Sequence, residues 1–166
     1  MNLKRIAFVC AALAASQFAW AEDISPAPID LSVNGTATFG VTHFENGAFH
    51  DILTFVGGPS FADVSVTVVT ISLGSRSIDL TSARLSGQPL SISGPDGAEV
   101  ATLTLTGETG PNFVLAVQGI ASNVAPGAGA SYAGVMNVTA VPEPGSYALM
   151  LAGLGAVGFM ARRRKS

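Results

Sequence analysis

The sequence predicts an all-β chain, an antiparallel β-sandwich with a small β-barrel as the alternative, carrying an N-terminal signal helix and a C-terminal single transmembrane helix. Three observations predict it. Apolar and polar residues alternate with period two along much of residues 22–141, as in strands with one buried face. Clusters of Gly, Pro, Asn and Asp punctuate those runs. Outside the two ends, no window of useful length has a helical period. About 120 residues suffice for one modest domain and are too few for two. At 48% hydrophobic and 11% charged residues, the chain reads as folded or membrane-inserted, not disordered.

Residues 1–21 read as a secretory signal peptide. Lys4 and Arg5 form a basic start, Ile6 to Ala15 an apolar run too short to span a bilayer, and Ala19-Trp20-Ala21 a small-x-small cleavage site. The partners this implies are the Sec translocon and signal peptidase. The single cysteine, Cys10, falls inside the segment and lacks the small residues expected ahead of a lipidated cysteine. Cleavage leaves residues 22–141 without thiols, which excludes disulfides, thiol catalysis and cysteine-based metal sites there.

Within residues 22–141 the strands follow in order. Ala37, Phe39, Val41 and His43 alternate with Thr36, Thr38, Gly40 and Thr42. Phe49–Phe55, Phe61–Leu73 and Ser77–Leu85 come next. Ala101, Leu103 and Leu105 then alternate with Thr102, Thr104 and Thr106, and Asn112–Ile120 and Ser131–Val141 complete the set. Turns are expected at Asn46-Gly47, Gly57-Gly58-Pro59, Pro95-Asp96-Gly97, Gly110-Pro111 and Pro126-Gly127. In Phe61–Leu73 the apolar phase changes after Val68. This implies either a central strand covered on both faces, the preferred reading, or a bulge near Val68. Ala125–Ala130 reads as a surface loop.

Charge narrows the function classes. Residues 22–141 hold ten acids against Arg76 and Arg84, with no lysine, so binding to nucleic acid by phosphate neutralisation is excluded. No nucleophile elbow is present, and Gly94-Pro95-Asp96-Gly97 lacks the lysine and following helix of a phosphate cradle.

The C-terminal end carries the most specific pattern. Pro142-Glu143-Pro144 breaks regular structure and presents an extended peptide of the kind that proteases and transpeptidases accept. An apolar stretch from Ser146 to Ala161 follows, about 24 Å long as a helix and a marginal span. Arg162, Arg163, Arg164 and Lys165 then form a stop-transfer cluster that stays cytoplasmic. This order of motif, apolar helix and basic end resembles the PEP-CTERM sorting signal of exported proteins from Gram-negative bacteria that make exopolysaccharide. The resemblance covers residues 142–166. It implies processing by exosortase, a membrane transpeptidase that recognises the Pro-Glu-Pro site and removes the helix. The protein is then released or attached at the cell surface or in the extracellular matrix, in association with exopolysaccharide and biofilm. Before processing, the C-terminal helix holds the chain to the membrane.

One internal motif bears on chemistry. Strand alternation puts Phe49, Asp51, Leu53 and Phe55 on one face, a carboxylate among large apolar groups. Asp51 then bonds to backbone N–H groups, pairs with Arg76 or Arg84, binds a cation or is partly protonated. The preferred reading is a structural Asp that fixes a turn or register. The spacing Phe49-x-Asp51-x-x-x-Phe55 resembles the FxDxF group of PEP-CTERM proteins, with Leu53 standing where that group has its middle Phe.

His43, Glu45, His50 and Asp51 invite a metal reading. His43 and His50 are expected on neighbouring strands across the Asn46-Gly47 turn, but no zinc-binding motif is present, and no cofactor or metal is expected. Asp96 and Glu99 lack the ordered ladder of a calcium loop. The sequence therefore points to a non-enzymatic structural or adhesive protein. A glycan-binding module would instead need an exposed aromatic platform, with Tyr132 the main candidate. An enzyme would need Asp51, His43 and His50 to converge in one pocket.

Overall fold

The computed structural model describes residues 21–32, 35–125, 127–142 and 144–163. The signal segment 1–20 with Ala19, together with Glu143, Arg164 and Lys165, lies outside the described residues. The strands are β1 (Ile29–Asp30), β2 (Thr36–His43), β3 (Gly47–Val56), β4 (Phe61–Ile71), β5 (Ser77–Leu85), β6 (Gln88–Pro89), β7 (Ser91–Ser93), β8 (Val100–Thr109), β9 (Phe113–Ser122) and β10 (Ala130–Ala140). One helix, α1 (Pro144–Arg163), follows. The strands form two separate five-stranded sheets, ordered β1-β3-β9-β5-β6 and β2-β10-β4-β8-β7. This is the sandwich; the closed-barrel alternative is overturned.

Successive long strands do not form hairpins with one another. β2, β4, β8 and β10 lie in the second sheet and β3, β5 and β9 in the first, so each connection between successive long strands crosses from sheet to sheet. The Asn46-Gly47 turn is therefore an arch. Its geometry is held by the Asn46 amide, which accepts from the Val124 N–H at 2.8 Å and donates to the Val124 carbonyl at 3.2 Å. Gly57-Gly58-Pro59 and Gly110-Pro111 are arches too, tied together where Gly58 N–H donates to the Pro111 carbonyl at 2.8 Å. The tight hairpins each include a short strand, as at Ser86-Gly87 between β5 and the two-residue β6, where both residues take positive φ.

Inward faces follow the period-two pattern. In β2 the residues Ala37, Phe39, Val41 and His43 are buried, and in β4 the same holds for Ala62, Val64, Val66, Val68 and Thr70. β4 is thus central in its sheet, but Ile71 is exposed and Val69 half-buried, so only one face is fully covered. Its irregularity in pairing falls between Ala62 and Val64, not near Val68. The phase change after Val68 reflects an apolar outer face, not a bulge.

Two glycines admit aromatic rings into the core. Gly119 sits directly opposite Phe49, and Gly134 opposite Phe39. A Cβ on Gly119 would lie 2.7 Å from the Phe49 ring and 2.6 Å from the Asp79 carbonyl, and one on Gly134 would strike the Phe39 ring and the Thr67 carbonyl. Phe39 in turn meets Phe55 edge-on, with centroids 5.5 Å apart.

A strap that includes β1 and runs from Ala21 to Leu31 closes the open side of the first sheet. Ala21 N–H donates to the Ala48 carbonyl at 2.9 Å, Ile52 N–H to the Ile24 carbonyl at 3.1 Å and Leu31 N–H to the Val56 carbonyl at 2.8 Å. β1 itself runs parallel to β3.

At the other end, Val141 N–H donates to the Phe61 carbonyl at 3.1 Å, and α1 begins three residues later. The expected transmembrane helix needs correction: among the described residues no helix is long and apolar enough to cross a membrane. Gly145, Gly153, Gly155 and Gly158 dilute the apolar stretch, and Arg162 and Arg163 occupy its last turn. Its large apolar side chains, Leu149, Leu151 and Phe159 among them, are nonetheless exposed.

Gly119→Ala and Gly134→Ala should each destabilise the sandwich by about 1–3 kcal/mol, because the added methyl displaces a ring and a strand backbone. Urea unfolding of each variant against wild type measures this.

Candidate functional site

The polar centre of the molecule is Asp51, which faces inward from β3 with Phe49, Leu53 and Phe55. On the opposing sheet, inward alternation in β2 and β10 brings His43 and Tyr132 to the same place. Asp51 Oδ2 accepts from His43 Nε2 at 2.9 Å and from the Tyr132 hydroxyl at 2.7 Å. Asp51 Oδ1 accepts from the Ile24 N–H of the strap at 2.8 Å. Asp51 and Tyr132 are 0% exposed and His43 1%, so the cluster is sealed from solvent. One carboxylate thereby joins the first sheet, the second sheet and the strap.

The protons follow from the partners. A carboxylate oxygen accepts, so His43 carries its hydrogen on Nε2. Nδ1 is, among the described residues, the buried side-chain nitrogen left without a hydrogen-bond partner. The imidazole stacks on Phe49 at 4.0 Å between centroids and 22° between planes, and Phe49 lies nearly parallel to Tyr132 at 6.0 Å. Burial, and then the Asp51 charge and hydrogen bond, push the Tyr132 phenol well above its ordinary range, so it remains a donor.

A second acidic bridge mirrors the first. Glu99, just before β8, is buried, and its Oε2 accepts from the Leu80 N–H of β5 at 2.6 Å. Its backbone pairs with Thr70 of β4 through Thr70 N–H to Glu99 O at 3.0 Å and Glu99 N–H to Thr70 Oγ1 at 2.8 Å. Burial raises the Glu99 carboxyl pKa, against the Leu80 hydrogen bond, which lowers it, and the Asp79 and Asp96 charges raise it further. Asp51, His43, Glu99 and Thr70 are the buried polar or charged residues among those described, and all four belong to these two bridges.

Several sequence expectations change here. Asp51 pairs with neither arginine: Arg76 donates to the Leu73 and Gly129 carbonyls, and Arg84 to the Gly87 carbonyl. His50 does not meet His43. The two strands belong to different sheets, and His50 stands on the outer face, its backbone N–H held by Asp23 at 2.7 Å. There it borders a surface depression of about 350 Å³ with Ala48, Thr81, Gln118 and Ile120. Asp51, His43 and His50 therefore do not converge in one pocket. Among the described residues no group of three or more His, Cys, Asp or Glu could hold a metal ion. Tyr132, the candidate glycan platform, is a core residue. Sequence reasoning missed Tyr132 and Ile24 as Asp51 partners; the parity of Tyr132 with Ala130 and Met136 on one strand face is the signal that could have found the first.

The chain thus combines a two-sheet domain, held by a buried polar network, with a C-terminal helix that follows it. Residues 140–165 match the family model of the PEP-CTERM protein-sorting motif, which is consistent with a PEP-CTERM domain-containing protein and implies processing by exosortase. That match is confined to the tail and does not extend to the FxDxF group. No curated protein matches. Among solved structures, the pre-peptidase C-terminal domain of a collagenase from Bacillus anthracis is similar at 12% identity and a TM-score of 0.34, over 71% of this chain and 97% of that one. A likeness that slight carries no argument.

Asp51→Ala strips three donors of their acceptor and should cost about 3–5 kcal/mol, whereas Tyr132→Phe should cost about 1.5–3 kcal/mol. Chemical denaturation of both variants measures the difference. For Glu99 the folded pKa lies above the unfolded value of 4.5, so its contribution is fully present below that pH and is lost as pH rises through the folded value. Glu99→Gln keeps an acceptor for Leu80 without ionising. It should melt higher than wild type near neutral pH and show a flatter melting profile above about pH 4.5, read by thermal scans across that range.

Proposed function

We propose that this chain is an exported structural or adhesive protein, non-enzymatic, delivered by its sorting tail to the cell surface or extracellular matrix in association with exopolysaccharide and biofilm. The observation that carries the proposal is the junction at Val141. The last backbone hydrogen bond of the sandwich ends there, and the exposed Pro142 opens the Pro-Glu-Pro motif immediately afterwards. Cleavage within 142–144 leaves every strand of the sandwich whole.

The rest of the chain suits a passenger with a disposable tail. α1 exposes apolar side chains that favour a bilayer over water, yet it is too weak to be a permanent anchor. Its basic last turn suits the cytoplasmic side. At the leader end, cleavage after Ala21 removes the Ala21–Ala48 hydrogen bond with the signal peptide and leaves the bonds through Ile24 and Leu31 in place. A structural role is supported by the use of the interior polar groups: they tie the sheets together and face no solvent.

Intact-mass analysis of secreted material from a wild-type producer and an exosortase-deficient strain tests the proposal. Wild-type protein should end before the helix, and the deficient strain should retain it. A complete C-terminal helix in the mature wild-type protein would reject processing.

A further inference from the structure

We propose that the depression on the outer face of the first sheet, beside His50, is a binding site for one neutral sugar residue of a polysaccharide. The site rests on the reading of an exopolysaccharide-associated protein and deepens it by naming where a sugar is held. Tyr132 is buried and offers no platform, so contact with a glycan falls to the outer faces.

Three adjacent strands build the site. On the outer face His50 of β3 stands opposite Gln118 of β9, and Ala48 stands opposite Ile120. β5 departs from register between Leu80 and Ser82, which leaves Thr81 without a partner on β9 and adds it to the rim. Phe49 and Gly119, both inward-facing, lie beneath. The register shift of β4 makes no comparable opening: Asp63 beside it accepts from the Gly107 N–H at 3.0 Å. At about 350 Å³ the hollow lies within the roughly 300–1,000 Å³ usual for small-molecule sites. The strap fixes its β3 side, where Asp23 accepts from the His50 N–H at 2.7 Å and the Ile24 carbonyl from the Ile52 N–H at 3.1 Å. The site is therefore formed before a ligand arrives.

The ligand class follows from the groups that meet there. Neutral imidazole, hydroxyl and amide each donate and accept, which matches sugar hydroxyls that do both. Among the described residues the His50 ring, the Thr81 hydroxyl and the Gln118 amide have no protein partner, whereas the amides of Asn46, Asn123 and Asn137 are spent on internal hydrogen bonds. Ile120 and Ala48 give apolar ground for the C–H face of a ring. An anionic sugar is disfavoured: Asp23 flanks His50, Asp79 stands opposite Ile120, and residues 22–141 hold ten acids against two arginines.

Full-length chain in a zwitterionic, sugar-free detergent carries the test. It is titrated with the methyl glycosides of glucose, galactose and mannose and with the methyl glycoside of glucuronate, read by saturation-transfer NMR. At least one neutral glycoside should bind, and the glucuronate more weakly. Gln118→Leu and Thr81→Ala, both exposed changes, should each weaken binding by about tenfold or more with the melting temperature unchanged. Thr102→Ala, on the outer face of the second sheet, should leave it as it was. Absence of binding by all three neutral glycosides, equal binding of the glucuronate, or binding that survives both substitutions would overturn the proposal. The purified chain is assayed without exosortase, so a retained tail helix in the mass analysis rejects processing and leaves this result standing.

Discussion

The fold depends on one carboxylate. Asp51 is buried at the meeting point of two sheets and a strap, and each donor it satisfies comes from a different segment: His43 from β2, Tyr132 from β10, the Ile24 amide from the strap. A lone charge in such surroundings would be costly. With three donors aimed at it, the same charge fixes how the sheets register, because hydrogen bonds are directional where apolar contacts are not. The apolar layer would tolerate small slides of one sheet over the other; Asp51 would lose partners with each.

Glu99 repeats the device at another edge, but with a different balance. It takes one backbone amide from the opposite sheet and has Asp79 and Asp96 nearby, so its charge is poorly compensated where that of Asp51 has three donors. The two bridges explain why a small interior without disulfides contains ionisable groups at all. They also account for the composition: a chain with few charges places two of its acids inside, each with identifiable partners.

Much of this was legible in the residues. Strand positions followed from period-two alternation, and Phe49, Asp51 and Phe55 fall on one inward face as that alternation demands. Strand pairing was not legible, because turn chemistry at Asn46-Gly47 reports a reversal of direction without reporting which sheet receives the next strand. That is why His43 and His50 looked like neighbours. Tyr132 stood as the candidate platform of the glycan-binding alternative because nothing local distinguishes an inward tyrosine from an outward one until its acceptor, 81 residues away, is known. The tail motif was legible because it is read as a linear peptide and needs no tertiary context, whereas the spanning power of α1 was overread from length and under-discounted for its glycines.

β10 is the last strand of the sandwich and also lies inside its sheet, between β2 and β4. Among the described residues β2, laid down about a hundred residues earlier, pairs with no other strand and must wait for it. A polypeptide arranged in this way cannot close while its tail end is still being delivered. Its second sheet is completed only when the segment adjoining the sorting motif has arrived. Late closure of this kind makes the order of strands a safeguard for transport as well as a plan for the finished shape.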